Sequence, residues 1–301
     1  MKIWTGLTVL AAMTLAACGG GSEQTAGIDA RGNPVVGVVS KGTISGFGSI
    51  IVNGVRYDTN TAAFDIDGSD GLQSDLAVGD VVTVRGTVND DGTSPTASSV
   101  TFDDAVEGPI ETIDLGTSTI TVLGQLVHID ADTSFDDSIS PGSIDGLNVT
   151  DIVEVSGFVL ADGSISATRI ELKPAGGEFE VTGQVSNPTA TTFDINALTV
   201  DFSAAQLDNF PNGNPEEGQR VEAKGMSLGA GGELLATRVE FKGTGFGGND
   251  GDAAEIEGFI TRFASATDFD VEGIPVTTTG STSFVNGTAA DLGLNRKVEV
   301  E

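Results

Sequence analysis

One strand-like phrase is written four times along this chain, and that periodicity constrains every fold open to it. It reads Asp80-Val81-Val82-Thr83-Val84-Arg85-Gly86, then Asp151-Ile152-Val153-Glu154-Val155-Ser156-Gly157. It returns as Gln219-Arg220-Val221-Glu222-Ala223-Lys224-Gly225 and as Arg296-Lys297-Val298-Glu299-Val300-Glu301. The equivalent residues Val82, Val153, Val221 and Val298 set a period of about 70 residues. Other phrases keep their order within each period. Each unit opens on a strand, at Gly42–Phe47, Gly108–Ile113, Val181–Val185 and Glu257–Thr261. Thr133-Ser134-Phe135 matches Thr282-Ser283-Phe284, and Thr61 to Phe64 matches them loosely. Units two and three close on Ala167–Lys173 and Ala236–Lys242, and unit one on Ala97–Phe102.

These runs alternate apolar and polar residues with period two, are rich in β-branched side chains and are bounded by Gly, Asn and Asp. The chain therefore reads as all-β. Asn53-Gly54 marks a tight hairpin, because both central residues of a type I′ turn need positive φ. Asp75-Leu76 and Asp291-Leu292 precede the fourth strand and read as a turn that plugs one end of the unit. Five strands with such a plug predict tandem repeats of about five-stranded, OB-like small barrels. A short open meander or sandwich is the rival architecture. The expected repeats span 41–106, 107–176, 177–243 and 255–301, with a Gly-rich linker at 244–254. Repeat four stops at Glu301 inside its fourth strand, which predicts a missing fifth strand, an incomplete unit and a longer product that continues with glycine.

The first residues carry an address. Lys2 precedes an apolar run from Ile3 through Ala17 that is too short to span a bilayer. A positive start, a short apolar core and small residues at its end mark a signal peptide, here 1–17. Leu15-Ala16-Ala17-Cys18 resembles the bacterial lipobox, which makes Cys18 the lipid attachment residue. Such lipid holds a protein at a membrane almost permanently. Residues 18–40, beginning Gly19-Gly20-Gly21-Ser22, read as a flexible tether. The absence of an aspartate after Cys18 points to an exported protein sorted to the outer membrane of a Gram-negative bacterium.

After this lipobox and tether come Gly46-Phe47-Gly48-Ser49-Ile50-Ile51-Val52-Asn53-Gly54-Val55 and Val78-Gly79-Asp80-Val81-Val82-Thr83-Val84-Arg85-Gly86. Together they resemble the bacterial family called domain of unknown function 5666. The resemblance runs over about residues 41 to 301 and is weakest in unit three, where Asp208 to Glu217 is an insertion. It implies repeated small β domains in secreted proteins and lipoproteins, and supplies no catalytic residues.

Charge excludes several partners. The chain has 14 Lys plus Arg against 44 Asp plus Glu, a formal net charge of -30. That field repels anions, so nucleic acid, which needs a basic groove, is not an expected partner. Cys18 is the sole cysteine, so no disulfide is available.

The chemistry-bearing residues do not form a catalytic set. His128, the only histidine, lies between Val127 and Ile129 on a strand and should face away from the core. No nucleophile elbow, Walker loop or dinucleotide glycine loop is present. Asp65-Ile66-Asp67-Gly68-Ser69-Asp70 begins like a calcium loop, but Asp70 replaces the sixth-position glycine and Leu76 the twelfth-position glutamate. Asn249-Asp250-Gly251-Asp252 is a second acidic loop, and solvated turns account for both. Tyr57 is the only tyrosine and is expected at a core edge. No catalytic, cofactor-binding or metal residue is assigned, and millimolar calcium should leave the melting temperature within about 2 °C.

These observations predict a non-enzymatic envelope lipoprotein, held to a membrane by its N-terminal lipid. It would serve as a structural spacer or protein-binding array with an envelope protein partner. The alternative is a module binding a small ligand, carbohydrate or calcium on a barrel face. A row of exposed Phe side chains would favour the binding module, and acidic faces the spacer.

Overall fold

The computed structural model describes residues 7–11, 27–28, 34–88, 94–243, 246–247 and 252–301. Cys18 and residues 249–251 of the second acidic loop lie outside the described residues. The chain is all-β and built of repeated units, with 3-10 turns as its only helical elements among the described residues.

Repeat two shows how alternation becomes architecture. Its strands are Val106–Asp114, Thr119–Val122, Gln125–His128, Ile152–Val159 and Ile165–Lys173. The opening strand pairs with the second and the fourth. The second pairs with the third, the third runs parallel to the closing strand, and the closing strand runs antiparallel to the fourth. Pairing thus passes from strand to strand and returns to its start. Ile110, Ile120, Val122, Val127, Val153, Val155 and Ile170 all turn inward to one apolar core. Each of these side chains contributes roughly 1.5–3 kcal/mol on burial.

The glycine that ends the recurrent phrase has a steric cause. A β-bulge falls at Arg85/Gly86, Ser156/Gly157 and Lys224/Gly225. There the closing strand crosses so closely that a Cβ would lie 2.2 Å from the Thr96 carbonyl oxygen, or 2.5 Å from those of Ser166 and Leu235. The expected turn before the fourth strand is also present. The 3-10 turns Gln73–Asp75, Ile144–Gly146 and Ala289–Asp291 are each followed by a buried leucine, Leu76, Leu147 or Leu292. Asp75 and Asp291 fix two of these turns by accepting from the Leu72 and Thr288 backbone amides at 2.9 and 2.8 Å. Repeat three has no such turn. Its insertion brings Phe210 against Phe241 instead, with ring centroids 6.1 Å apart.

The chain divides into two compact units, one holding repeats one and four and the other repeats two and three. In the second unit the opening strands meet antiparallel, Val106 opposite Val181 and Glu107 opposite Glu180, and the two repeats share a single apolar core. In the first unit the opening strands meet in parallel. Val38 to Lys41 of strand Pro34–Gly46 lie along Ala253 to Ile256 of strand Ala253–Ser265, and each repeat keeps its own core.

Backbone hydrogen bonding continues from one opening strand to the next, in sheets of 14 and 12 strands. One expectation needs correction. The segment expected as tether becomes strand from Pro34, since Pro34-Val35-Val36-Gly37-Val38-Val39 is rich in β-branched residues. The fifth position of repeat four is occupied. Strand Leu7–Ala11 lies between Thr282–Val285 and Lys297–Val300, pairing with both. Residues 252–301 themselves hold no fifth strand of the repeat.

Candidate functional site

Three of the four fourth strands place a glutamate between two core residues, at Glu154, Glu222 and Glu299, where repeat one has Thr83. Period-two geometry turns it away from the apolar core. Glu154 and Glu222 are nevertheless buried, so each needs a partner to offset lost hydration. The closing strand supplies it. Lys173 Nζ lies 2.5 Å from Glu154, and Lys242 Nζ lies 3.0 Å from Glu222 and 2.9 Å from Asp103. Lys224 pairs with Glu180 and lies 3.7 Å from Glu222. Burial opposes the charge on Lys173 and Lys242, but the facing carboxylates outweigh it and hold both above the ordinary lysine pKa. Burial likewise works against ionised Glu222, yet Glu180, Lys242 and Lys224 hold its pKa below the usual value.

Repeat four has the glutamate without the lysine. Oxygens of Glu255, Glu299 and Glu301 lie within 4.8 Å of one another. Lys297 is taken by Glu257 at 2.7 Å, and among the described residues no lysine or arginine pairs with Glu255, Glu299 or Glu301. Ser40 Oγ donates to Glu255 Oε2 at 2.9 Å, while Oε1 is buried without a hydrogen-bond partner. Burial first, then the charges of Glu299 and Glu301, push the Glu255 pKa up to about 7 against the Ser40 hydrogen bond. Burial also raises Glu299, with Glu301 and Glu257 adding to it. A second carboxylate group, Asp104, Glu107 and Glu154, has equally close oxygens but contains the Glu154–Lys173 pair.

The residues weighed for chemistry are scattered. Asp65 and Asp70 face each other across a hairpin whose turn residues, Asp67 and Gly68, have φ of 50° and 77°. That is type I′ geometry and not a cation-wrapping loop. His128 is flanked by buried Val127 and Ile129 and pairs in the sheet with Thr119 and Ser166. Tyr57 is 1% exposed, so it belongs to the core itself and not to its edge. Of the 15 phenylalanines only Phe47 is exposed, so no aromatic row forms. A shallow polar depression in repeat one is lined by Gly48, Ser49, Arg56, Asp58, Thr59 and Gln73.

The Ser40–Glu255 junction escaped sequence reasoning, although it left a trace. Ser40 stands four residues before core Ile44, where the other repeats have Val106, Val181 and Ile256 before Ile110, Val185 and Ile260. A polar residue at an apolar position was the available signal. Its partner, more than 200 positions away, was not.

No curated protein matches the chain. The family described as domain of unknown function 5666 matches four times, over residues 36–101, 107–171, 178–240 and 257–301. These matches cover most of the chain and coincide with the four units built above, so the protein belongs to the family of domain of unknown function 5666.

Proposed function

We propose that this protein is a non-enzymatic envelope lipoprotein, anchored through Cys18, whose repeats are OB-like barrels joined into a stiff spacer or protein-binding array. The pairing order of repeat two, opening to second to third to closing to fourth and back, supports the barrel reading. The observation that carries the scaffold reading is the joining of opening strands by backbone hydrogen bonds in both units. Repeats linked in this way resist bending, as a spacer requires. The scarcity of exposed aromatic side chains supports a spacer over a sugar-binding face, which wants exposed rings.

Two measurements test this. Cys18→Ala should release the protein from membranes and abolish palmitate labelling; unchanged labelling removes the lipid anchor from the proposal. Crosslinking in intact cells followed by capture of the tethered protein should recover a defined envelope protein or a fixed crosslinked spacing. Turnover of a small substrate by the purified chain would refute the non-enzymatic reading.

A further inference from the structure

Repeat one departs from the other repeats where its third strand ends. That strand, Val55–Tyr57, pairs with the second in the register used by Gln125–His128 of repeat two. Arg56 lies opposite Ile51 as Leu126 lies opposite Thr121, so Arg56 and Leu126 are equivalent. The same register equates Arg56 with Thr199 and Pro275 in repeats three and four, neither of them a cation. Three residues on, Thr59 takes the place of Ile129 and Phe202, which are buried in the apolar core of their repeats. Gln73 opens the 3-10 turn where Ile144 opens it in repeat two, and Ile144 packs on that core. Thr59 Oγ1 donates to Gln73 Oε1 at 2.5 Å. Two polar residues thus satisfy each other where repeat two has two isoleucines. The depression they line encloses about 480 Å³, a volume in the range of small-ligand sites.

The depression carries opposite charges that do not neutralise each other. Arg56 and Asp58 are two apart on extended backbone, so they share a face with their backbones roughly 7 Å apart. Arg56 Nη2 donates to the Gly48 carbonyl, which draws the guanidinium toward the Gly48-Ser49 turn. Among the described residues no ion pair joins Arg56 to Asp58. Asp58 Oδ1 accepts from the Asn60 amide at 3.0 Å, and Oδ2 is left open. Ser49 has φ of 136°, whereas the other described non-glycine residues with positive φ lie between 45° and 77°. A Cβ is strained there, and glycine would relieve the strain. The position instead carries a hydroxyl that lines the depression.

We propose that this depression binds the zwitterionic head of a free α-amino acid. Its carboxylate sits on the Arg56 guanidinium, with the Ser49 hydroxyl and Gln73 Nε2 as further donors, and its ammonium sits on Asp58 Oδ2. The two charged ends of such a head are about 3 Å apart. A charge-assisted hydrogen bond of about 2.8 Å at each end spans the gap that keeps Arg56 and Asp58 from pairing directly. The net charge of -30 repels a simple anion, and Asp58 adds to that repulsion, whereas a zwitterion is neutral as a whole. A sugar is a poorer fit, because no aromatic ring lines the depression for it to stack on. The site adds a ligand to repeat one and does not rest on the scaffold reading.

The test is an amide chemical-shift titration of the full chain with each of the common amino acids in turn. At least one should shift the amides of Ser49, Arg56 and Asp58 and leave those of Leu126, His128 and Ile129 in repeat two unmoved. Its N-acetyl and carboxamide derivatives, which each lack one charge of the head, should bind at least tenfold more weakly. Arg56→Leu and Asp58→Asn should each weaken binding at least tenfold. Thr59→Ile combined with Gln73→Ile, which copies repeat two, should abolish it. If that double variant misfolds, Ser49→Gly provides a milder one, which should raise the melting temperature by relieving strain and weaken binding severalfold. Binding of no amino acid, equal binding of the capped derivatives, or undiminished binding by the folded Arg56 and Asp58 variants overturns the proposal. So does a stronger response to acetate or glucose, which would make an anion or a sugar the occupant.

Discussion

Gly86, Gly157 and Gly225 are in the sequence as the last letter of a recurring phrase, and their spacing alone shows that something repeats. The reason lies in the partner strand. Each sits at a bulge where the closing-strand carbonyl leaves no room for a Cβ. Gly157→Ala should accordingly destabilise the fold by about 1–3 kcal/mol, the usual cost of overpacking. Urea denaturation monitored by circular dichroism reads this directly, and an unchanged midpoint would remove the steric account. Other residues were legible in full. Asn53 and Gly54 have φ of 51° and 77°, as a type I′ hairpin requires. Tyr57 was only half legible, since placing it on a strand end does not reveal that its hydroxyl is buried beside Ser40 and Glu255.

At the scale of the element, the Pro34–Gly46 and Ala253–Ser265 strands meet at a buried acid. The ordinary pKa of 4.5 for Glu255 is pushed up to about 7, chiefly by burial and then by Glu299 and Glu301. Between those values the folded chain holds a proton that the unfolded chain has released. Stability from this site is therefore complete below about pH 4.5 and declines as pH rises through about 7. Asp136 and Asp162 act in the opposite sense, because hydrogen bonds from Ser138 and Ser164 lower their pKa values, so their contribution is complete above about pH 3.8 and is lost as pH falls below it. Glu255→Gln should flatten the fall in melting temperature between pH 5 and 8, a range chosen about the two values of Glu255. An unaltered profile would show that the proton resides elsewhere. Strand identity and order were legible from alternation and glycine punctuation. The pairing of one opening strand with another was not, because a period-two pattern names the buried face and says nothing of which edge meets which.

At the scale of the whole molecule, four similar units make two dissimilar pairs. Repeats two and three share one core through Val106 and Val181, whereas repeats one and four keep separate cores. Val181→Ala should cost about 2 kcal/mol. It should lower hydrogen-exchange protection in residues 106–173 as much as in residues 179–241, the strand-bearing spans of the two repeats. Loss confined to repeat three would show that the shared core does not couple them. Repeat number and rough extent were legible because the recurrent phrases lie in order along the chain. The division into pairs was not, since nothing in the phrases distinguishes an antiparallel junction from a parallel one.

That parallel junction sets a schedule. Ser40 and Glu255 are 215 positions apart, so repeat one cannot complete its sheet until the ribosome has delivered Glu255. Repeats two and three need only each other and can be finished while repeat four is still being made. Until then the nascent chain carries an open strand edge at Val38 to Lys41. The edge of repeat one is thus exposed to chaperones, and to aggregation, through much of synthesis.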